Sequence, residues 1–156
     1  MTDDADQQLP IARLLAMAYR MQIDAMHERL RAAGWTDVRP AFGFVLLAAR
    51  DRPTTATDLA SLMGTSKQAA SKLVDTMEAA GLVTRSTSAA DARQKSIELA
   101  ARGRELLGVV EGIYRDIEAE WAVVVGERGV ERLRRDLVRV VTDSNEGNLP
   151  PVRPTW

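Results

Sequence analysis

The chain contains no cysteine and only one histidine, His27, and these shortages exclude several classes of site. Without thiols there is neither a disulfide framework nor a thiol-based oxidation sensor, and a Cys/His zinc site lacks its ligands. The sequence also lacks a glycine-rich phosphate loop and carboxylate pairs at a recognisable spacing. We therefore expect no catalytic residues, no metal, no cofactor and no enzymatic activity.

Long hydrophobic runs are absent as well. No window reaches the roughly 18 apolar residues that a membrane-spanning helix requires. Residues 1–8 are acidic, where a secretory signal peptide would be basic. With 156 residues, of which 46% are hydrophobic and 28% charged, the chain has room for one core of ordinary size. These features predict one soluble, cytoplasmic domain over residues 1–156 with no membrane partner.

The formal net charge is only −1, so no basic excess marks the whole chain as a nucleic-acid-binding protein. The charge is nevertheless distributed unevenly. Residues 54–104 carry 7 basic and 5 acidic groups, a net charge of +2, whereas residues 105–150 carry 6 and 10, a net charge of −4. We therefore expect any nucleic-acid site to be local, to lie in the middle of the chain and to bind with moderate, salt-sensitive affinity.

Apolar residues recur at helical spacing at both ends of the chain. The first stripe predicts a helix over about residues 10–34, and the second predicts two helices over about residues 102–142 with a break at Gly126. Because these stripes exceed what a small domain needs, they favour a homodimer over a monomer whose helices pack only on one another. The tail, residues 144–156, holds three prolines and a glycine and is expected to be irregular.

The middle of the chain has the sequence pattern of a winged helix-turn-helix, in which two helices around a tight turn precede a two-stranded hairpin. In the second helix we expect Thr65 to cap the backbone and Gln68 to reach back to it. The predicted fold class is mainly α with a small β-hairpin wing, flanked by N- and C-terminal dimerisation helices. The segments of the winged region, about residues 40–100, are a short helix from Pro40, a helix over 57–63, a turn at Gly64, a helix over 66–80 and extended runs over 82–85 and 95–99.

The second of the paired helices carries polar side chains suited to a major groove. Lysine suits guanine edges or phosphate, glutamine suits adenine, serine suits either, and an alanine methyl suits the thymine methyl. An arginine at a hairpin tip has the reach and charge for a narrow minor groove. The alternative for the helix residues is an ordinary solvated face, and the alternative for the wing charges is solubility. The predicted DNA-binding residues are Ser66, Lys67, Gln68, Ala69, Ser71 and Lys72 on the helix and Arg85, Asp91, Arg93 and Lys95 in the wing.

Five short motifs lie in this region, namely Asp58-Leu59-Ala60, Gly64-Thr65-Ser66, Leu73-Val74-Asp75, Ala80-Gly81-Leu82-Val83-Thr84-Arg85 and Asp91-Ala92-Arg93. Together they resemble the MarR family of bacterial transcription regulators, over about residues 14–141. The order helix, helix, wing, long helix is more specific than any single motif. The resemblance implies a homodimer, closed by the first and the last two helices, that binds double-stranded DNA at a pseudo-palindromic operator. It also implies repression that a small ligand, commonly an anionic aromatic compound, relieves.

The resemblance also implies roles for single wing residues. Arg93 resembles the wing arginine that enters the minor groove, and Asp91 resembles the acidic partner that holds the wing loop in shape. Arg85 resembles a strand arginine that is often paired near that aspartate. The sequence departs from the family at Ala92, where a second arginine is common, and at Ala100, where a threonine usually caps the next helix. The first departure weakens the charge of the wing, and the second removes a cap that typically contributes ~1 kcal/mol.

By the same resemblance, a ligand pocket is expected between the first helix and the winged-helix region. Arg20 would pair with a carboxylate, His27 would titrate near neutral pH, and Asp24 would add a polar contact. Trp35 and Phe44 would form apolar walls. The alternatives are a surface or interface histidine at position 27 and a helix-surface ion pair between Arg20 and Asp24, which lie four residues apart.

Two functions of different classes follow from these patterns. The leading hypothesis is a homodimeric, sequence-specific DNA-binding transcription regulator that a small-molecule effector controls. The alternative is a winged-helix protein-interaction module without specific DNA binding, which the small positive excess and Ala92 favour.

Overall fold

A computed structural model describes residues 9–87 and 95–151 of the chain. Its residues group into two compact units, 1–38 and 39–156, which are described here one at a time. The elements, in chain order, are α1 (Ile11–Ala32), α2 (Phe42–Ala48), α3 (Ala56–Leu62), α4 (Lys67–Ala79), β1 (Val83–Thr87), β2 (Lys95–Leu99), α5 (Ala101–Val125) and α6 (Glu127–Asp143).

In the described part of the first unit, residues 9–38, helix α1 starts directly after Pro10 and has Ala33 as its C-cap. Proline suits this position because its fixed φ is already helical and its missing N–H would have no partner there. Met26 and Leu30 are buried, whereas Ile11 and Met21 are 75% and 66% exposed. The helix predicted over about residues 10–34 is therefore present, and much of the apolar stripe in its first half faces outward.

The second unit has its core where the winged-helix elements meet α5. Helix α2 packs against α3, α4 and α5, α4 packs against α3 and β1, and β2 packs against α5. Side chains from every one of these elements are buried, which explains why short helices of seven residues are stable in this setting. The largest fully buried side chains of the unit are Phe42, Leu46, Leu59, Met77, Ile97 and Leu106.

Strands β1 and β2 form an antiparallel hairpin in which Val83 lies opposite Leu99 and Thr87 lies opposite Lys95. The other edge of β2 is also paired, because Thr54 and Ile97 exchange backbone hydrogen bonds of 3.0 and 2.8 Å. The hairpin is thus joined to the residues that lead into α3, and the fold class predicted from the sequence is confirmed.

The structure corrects several predicted boundaries. The cap of α4 is Ser66 rather than Thr65, since the Ser66 hydroxyl accepts the backbone N–H of Ala69 at 3.1 Å. The helix expected over 57–63 starts one residue earlier, because Thr55 caps it through the N–H of Asp58. Strand β1 extends to Thr87, and α6 ends at Asp143, one residue beyond the predicted limit of about 142. Residues 144–151 contain neither helix nor strand.

Gly103 allows the first turn of α5 to approach the backbone of Leu82, the residue before β1, closely. A Cβ at this position would lie 2.0 Å from the carbonyl oxygen of Leu82, and that oxygen accepts the backbone N–H of Ala100 at 3.0 Å. Only glycine fits such a separation between a helix and a neighbouring backbone. None of the helices within residues 9–87 and 95–151 is long and apolar enough to cross a membrane.

Candidate nucleic-acid interface

Helix α4 packs against the core with one face, and its other faces are largely exposed. Ala70, Val74 and Met77 are each 0% exposed, and their spacing of four and three residues places them on one side of the helix. The remaining polar positions at the start of the helix are therefore directed away from the core. Hydrophobic burial along one stripe fixes how the helix rotates about its own axis.

The turn before α4 sets where this helix begins. Gly64 has a φ of +55°, a conformation that favours glycine, and the backbone N–H of Thr65 donates to the Ala60 carbonyl at 2.9 Å. Ser66 then caps α4. A short helix, a glycine turn and a capped second helix form the helix-turn-helix geometry in which the second helix presents its N-terminal end to DNA.

The polar residues predicted to bind DNA lie together on this end of the helix. We call Lys67, Gln68, Ala69 and Lys72 the outer face of α4, and all four are exposed. Ser66 is also exposed, and Ser71 is half-buried between the outer face and the hairpin. The structure therefore brings the six helix residues of the prediction into one region.

Lysine is confined to this part of the chain. The protein contains only three lysines among its 21 basic residues, and they are Lys67, Lys72 and Lys95. Two lie on the outer face of α4 and the third begins β2, opposite Thr87. All three are among the predicted DNA-binding residues, and their concentration in one region is visible in the sequence itself.

A cavity of about 220 Å³ separates the start of α3, the first turns of α4 and the hairpin. Its wall combines basic groups with hydroxyl groups, which is the lining expected where a phosphate oxygen would sit. The lining residues are Thr55, Ala56, Thr57, Lys67, Ser71, Arg85, Lys95 and Ile97.

Arg85 lies in β1 but its guanidinium is directed towards α4. It forms ion pairs with Asp75 at 2.7 Å and with Glu78 at 2.6 Å, and it donates a hydrogen bond of 3.1 Å to the carbonyl oxygen of Ser71. The resemblance had placed the partner of this arginine at Asp91. That residue and Arg93 lie outside the described residues, whereas the partners found on α4 were not anticipated. The signal was present, since the two carboxylates are spaced for one helix face.

The candidate ligand residues divide between the two units. In α1, Arg20 and Asp24 form the ion pair that was weighed as the alternative, with an N–O distance of 3.2 Å, and Nδ1 of His27 lies 2.8 Å from the Ile23 carbonyl oxygen. Trp35 follows α1 and is half-buried, and Phe44 is half-buried in α2. A shared pocket for these five residues stays a prediction.

Metal coordination has no candidate within residues 9–87 and 95–151, where no three His, Asp or Glu side chains are grouped suitably for an ion. The chemistry available at the outer face of α4 is therefore that of hydrogen-bond donors and positive charge. Donors and positive charge of this kind suit an anionic polymer such as a nucleic acid.

The sequence model of the MarR family matches residues 44–94, which run from α2 to the hairpin. No curated protein sequence matches the chain. The family resemblance identified in the sequence is confirmed by this match and by solved structures of the same fold.

Three of these structures illustrate the likeness. The transcriptional regulator BldR from Sulfolobus solfataricus is 25% identical, with a TM-score of 0.68 over 91% of this chain and 99% of its own. A mutant of MepR from S. aureus bound to an oligodeoxyribonucleotide is 20% identical, with a TM-score of 0.58 over 88% of this chain and all of its own. CouR from Rhodococcus jostii, bound to p-coumaroyl-CoA, is 23% identical, with a TM-score of 0.66 over 84% of this chain and 91% of its own.

Proposed function

We propose that this protein, whose winged region matches the MarR family, is a sequence-specific DNA-binding transcription regulator. The observation that carries the proposal is the outer face of α4, where Lys67, Gln68, Ala69 and Lys72 are exposed on a helix whose opposite face is buried. A helix held in this way enters a major groove as a rigid body. The MepR mutant bound to an oligodeoxyribonucleotide supports DNA as the partner.

The residues divide between base and backbone contacts. Gln68 suits the edge of adenine, Ala69 suits a thymine methyl, and Lys72 suits guanine or a phosphate. Lys67 and Lys95 line the cavity beside α4 and are placed to neutralise a backbone phosphate there. Ser66, Ser71 and the wing residues Asp91 and Arg93 complete the proposed DNA-binding set, with Arg93 in the minor groove as the resemblance implies.

We further propose that the regulator is a homodimer. Every residue of α6 is described and none is buried, although the helix has an apolar stripe. At its outer edge, Leu133 and Val140 are 40% and 65% exposed, and Val123 and Val124 at the end of α5 are 87% and 83% exposed. Apolar surface of this kind is typical of an interface between copies. A two-fold dimer presents two α4 helices to two half-sites of a pseudo-palindromic operator.

In this proposal the regulator is a repressor that an anionic aromatic ligand releases. CouR, a structure of the same fold, is bound to p-coumaroyl-CoA, which supports a ligand of this class. Arg20, Asp24, His27, Trp35 and Phe44 are the proposed ligand residues. The ion pair between Arg20 and Asp24 is exposed on both sides, so a carboxylate competes for the guanidinium without a large desolvation cost.

The test is selection of DNA from a random library by the full-length protein, followed by gel shift at two salt concentrations. We expect one pseudo-palindromic sequence to be enriched and bound in the nanomolar range, with affinity that falls as salt rises. Lys67→Ala should weaken this binding about tenfold and reduce the slope of log K against log salt by about 1.8, because a dimer loses one phosphate contact at each of its two half-sites. Arg115→Ala is the charge-matched control, because it removes an exposed cation of α5 and should leave binding unchanged.

Because lysine occurs only at the proposed interface, an amine-specific acylating reagent serves as a footprint. Bound DNA should protect Lys67, Lys72 and Lys95 from acylation, while the α-amino group reacts as in free protein. Equal acylation of all three lysines with and without the selected DNA would contradict the proposal. Failure to enrich any fragment, together with recovery of a specific protein partner, would instead support the interaction module that the small positive excess favours.

A further inference from the structure

We propose that Arg85 is a positioning residue that fixes the hairpin against α4, and that it does not contact DNA. The inference rests on the proposed function, because it concerns how the outer face of α4 and the wing are held at one geometry for specific binding. It also reassigns a residue that the sequence placed among the DNA contacts.

Both terminal nitrogens of the Arg85 guanidinium are engaged within the protein. One donates to Glu78 at 2.6 Å, and the other donates to the carbonyl oxygen of Ser71 at 3.1 Å and forms an ion pair of 2.7 Å with Asp75. The planar fork of arginine matches such a set of acceptors, whereas a lysine ammonium would act as a single point charge. Only 16% of the Arg85 side chain is exposed, which leaves little of it available to a duplex.

The three acceptors identify what Arg85 holds. Ser71, Asp75 and Glu78 follow one another at i, i+4 and i+7, so they form a stripe along two turns of α4. Four residues before Ser71 the same stripe begins with Lys67 on the outer face. The buried residues of α4 set the rotation of this helix about its own axis. Because Arg85 binds a second stripe of the same helix, it holds α4 at that rotation.

The other end of the link is the hairpin. Arg85 lies opposite Ile97 in the strand pair, and Ile97 in turn pairs through its backbone with Thr54, one residue before the cap of α3. Contacts therefore run from α4 to β1 through Arg85, from β1 to β2 through the strand pair, and from β2 to the start of α3 through Thr54. Since α3 packs on α4, these contacts form a closed ring. Both helices of the helix-turn-helix and the wing share this ring.

The local charge opposes a direct contact with phosphate. Arg85 contributes one positive charge and its partners Asp75 and Glu78 contribute two negative charges, so the cluster has a net charge of −1. A phosphate approaching this cluster would meet two carboxylates that are 64% and 42% exposed. By contrast, Lys67, Lys72 and Lys95 are exposed residues at the same surface.

Because of these charges, a direct contact with phosphate and a positioning role predict opposite changes in DNA affinity for the same variant. The variant Asp75→Asn with Glu78→Gln removes two negative charges from the DNA-binding end and releases Arg85. If Arg85 contacts phosphate, the variant should bind the selected DNA fragment more tightly. If Arg85 positions the wing, the variant should bind that fragment about tenfold more weakly while binding mixed-sequence DNA at least as tightly as the wild type.

Arg85→Gln and Arg85→Lys complete the test. For a positioning residue, both should lose affinity for the selected fragment, because neither glutamine nor lysine can hold two carboxylates and a carbonyl oxygen. The affinity of Arg85→Lys for mixed-sequence DNA should change by less than about twofold, since this variant keeps the charge and that binding depends on charge rather than geometry. Weaker binding to both DNAs by Arg85→Gln, with tighter binding by the double carboxylate variant, would overturn the inference.

A measurement without DNA separates failure of this inference from failure of the proposed function. We expect the amides of β1 and β2 to exchange with solvent about tenfold faster in Arg85→Gln than in the wild type, with little change in α5. If exchange in the hairpin is unchanged, Arg85 does not hold the wing and the inference fails, whether or not DNA binds. If hairpin exchange rises but the wild type selects no DNA, the positioning role is supported and the proposed function fails.

Discussion

The winged-helix region and the C-terminal arm of this protein use apolar residues in different ways. We define the arm as residues 118–143, the end of α5 together with α6. In the winged region each helix buries a face within the same chain, so that Val45, Leu59 and Val74 are 0% exposed. In the arm, α6 buries none of its 17 residues although its sequence is strongly amphipathic. The winged region completes its core within the chain, and the exposed stripe of the arm is the surface that the proposed homodimer would cover.

Along helix α5 the apolar residues change from buried to exposed. Its buried positions extend from Gly103 to Ile117, and its last turn exposes Val123, Val124 and Val125. Helix α6 is held by packing on α5 and by a surface ion pair of 2.6 Å between Arg134 and Glu118. Because exposed ion pairs contribute little to stability, we expect α6 to depend on the partner copy for much of its order.

Gly103→Ala tests how tightly the winged region is packed, and it should have the largest effect. The new methyl group would meet the Leu82 carbonyl oxygen at 2.0 Å, so backbone must move and the hydrogen bond to that oxygen weakens. We expect the free energy of unfolding to fall by about 3 kcal/mol in denaturant titration.

Gly108→Ala is the matched control in the same helix. A Cβ there would have no neighbour within 4 Å among the described residues, so the substitution should gain up to about 1 kcal/mol from helix propensity. Equal effects at Gly103 and Gly108 would show that the two positions are packed alike, and would contradict the tight packing of α5 against the winged region.

Val140→Glu tests whether the exposed apolar stripe of the arm is covered by a second copy. If the outer edge of the α6 stripe is buried between copies, an unpaired carboxylate there should raise the dimer dissociation constant about thirtyfold, equivalent to about 2 kcal/mol, in sedimentation equilibrium. Val138→Glu places the same change on the same helix at a position 48% exposed and off that edge, and should change the constant little. A wild-type protein that sediments as a monomer would contradict the proposed role of the arm.

Much of this fold was predictable because its helices bury regular stripes. The spacing of apolar residues predicted α1, α4 and α5, and two polar stretches around Gly64 and after β1 predicted the turn and the hairpin. The helix that presents the candidate site follows from the same argument, since its polar residues are those left after the buried stripe is assigned.

What the sequence could not predict depends on geometry between elements. The contact between Gly103 and Leu82 is a close approach of two backbones, which no periodicity encodes. The partners of Arg85 lie seven and ten residues away on another element, so their pairing depends on the angle between β1 and α4. The stripe of α6 looked like any other amphipathic helix, because periodicity indicates which face is apolar but not what covers it.

Ala100→Thr is the mildest change, and it acts at the junction between the hairpin and α5. Ala100 has the extended backbone of a helix cap, with φ −68° and ψ 169°, close to the φ −75° and ψ 151° of Ser66, but it has no side-chain oxygen to accept an N–H of the first turn. A threonine there should raise the free energy of unfolding by about 1 kcal/mol, whereas Ala101→Thr, one residue inside the helix, should lower it slightly. Because the cap stabilises the winged region alone, the dimer dissociation constant should not change. If the free energy of dimer dissociation changed by as much as the free energy of unfolding, the two regions would fold and associate as one unit. They would then differ in packing but not in their contributions to stability.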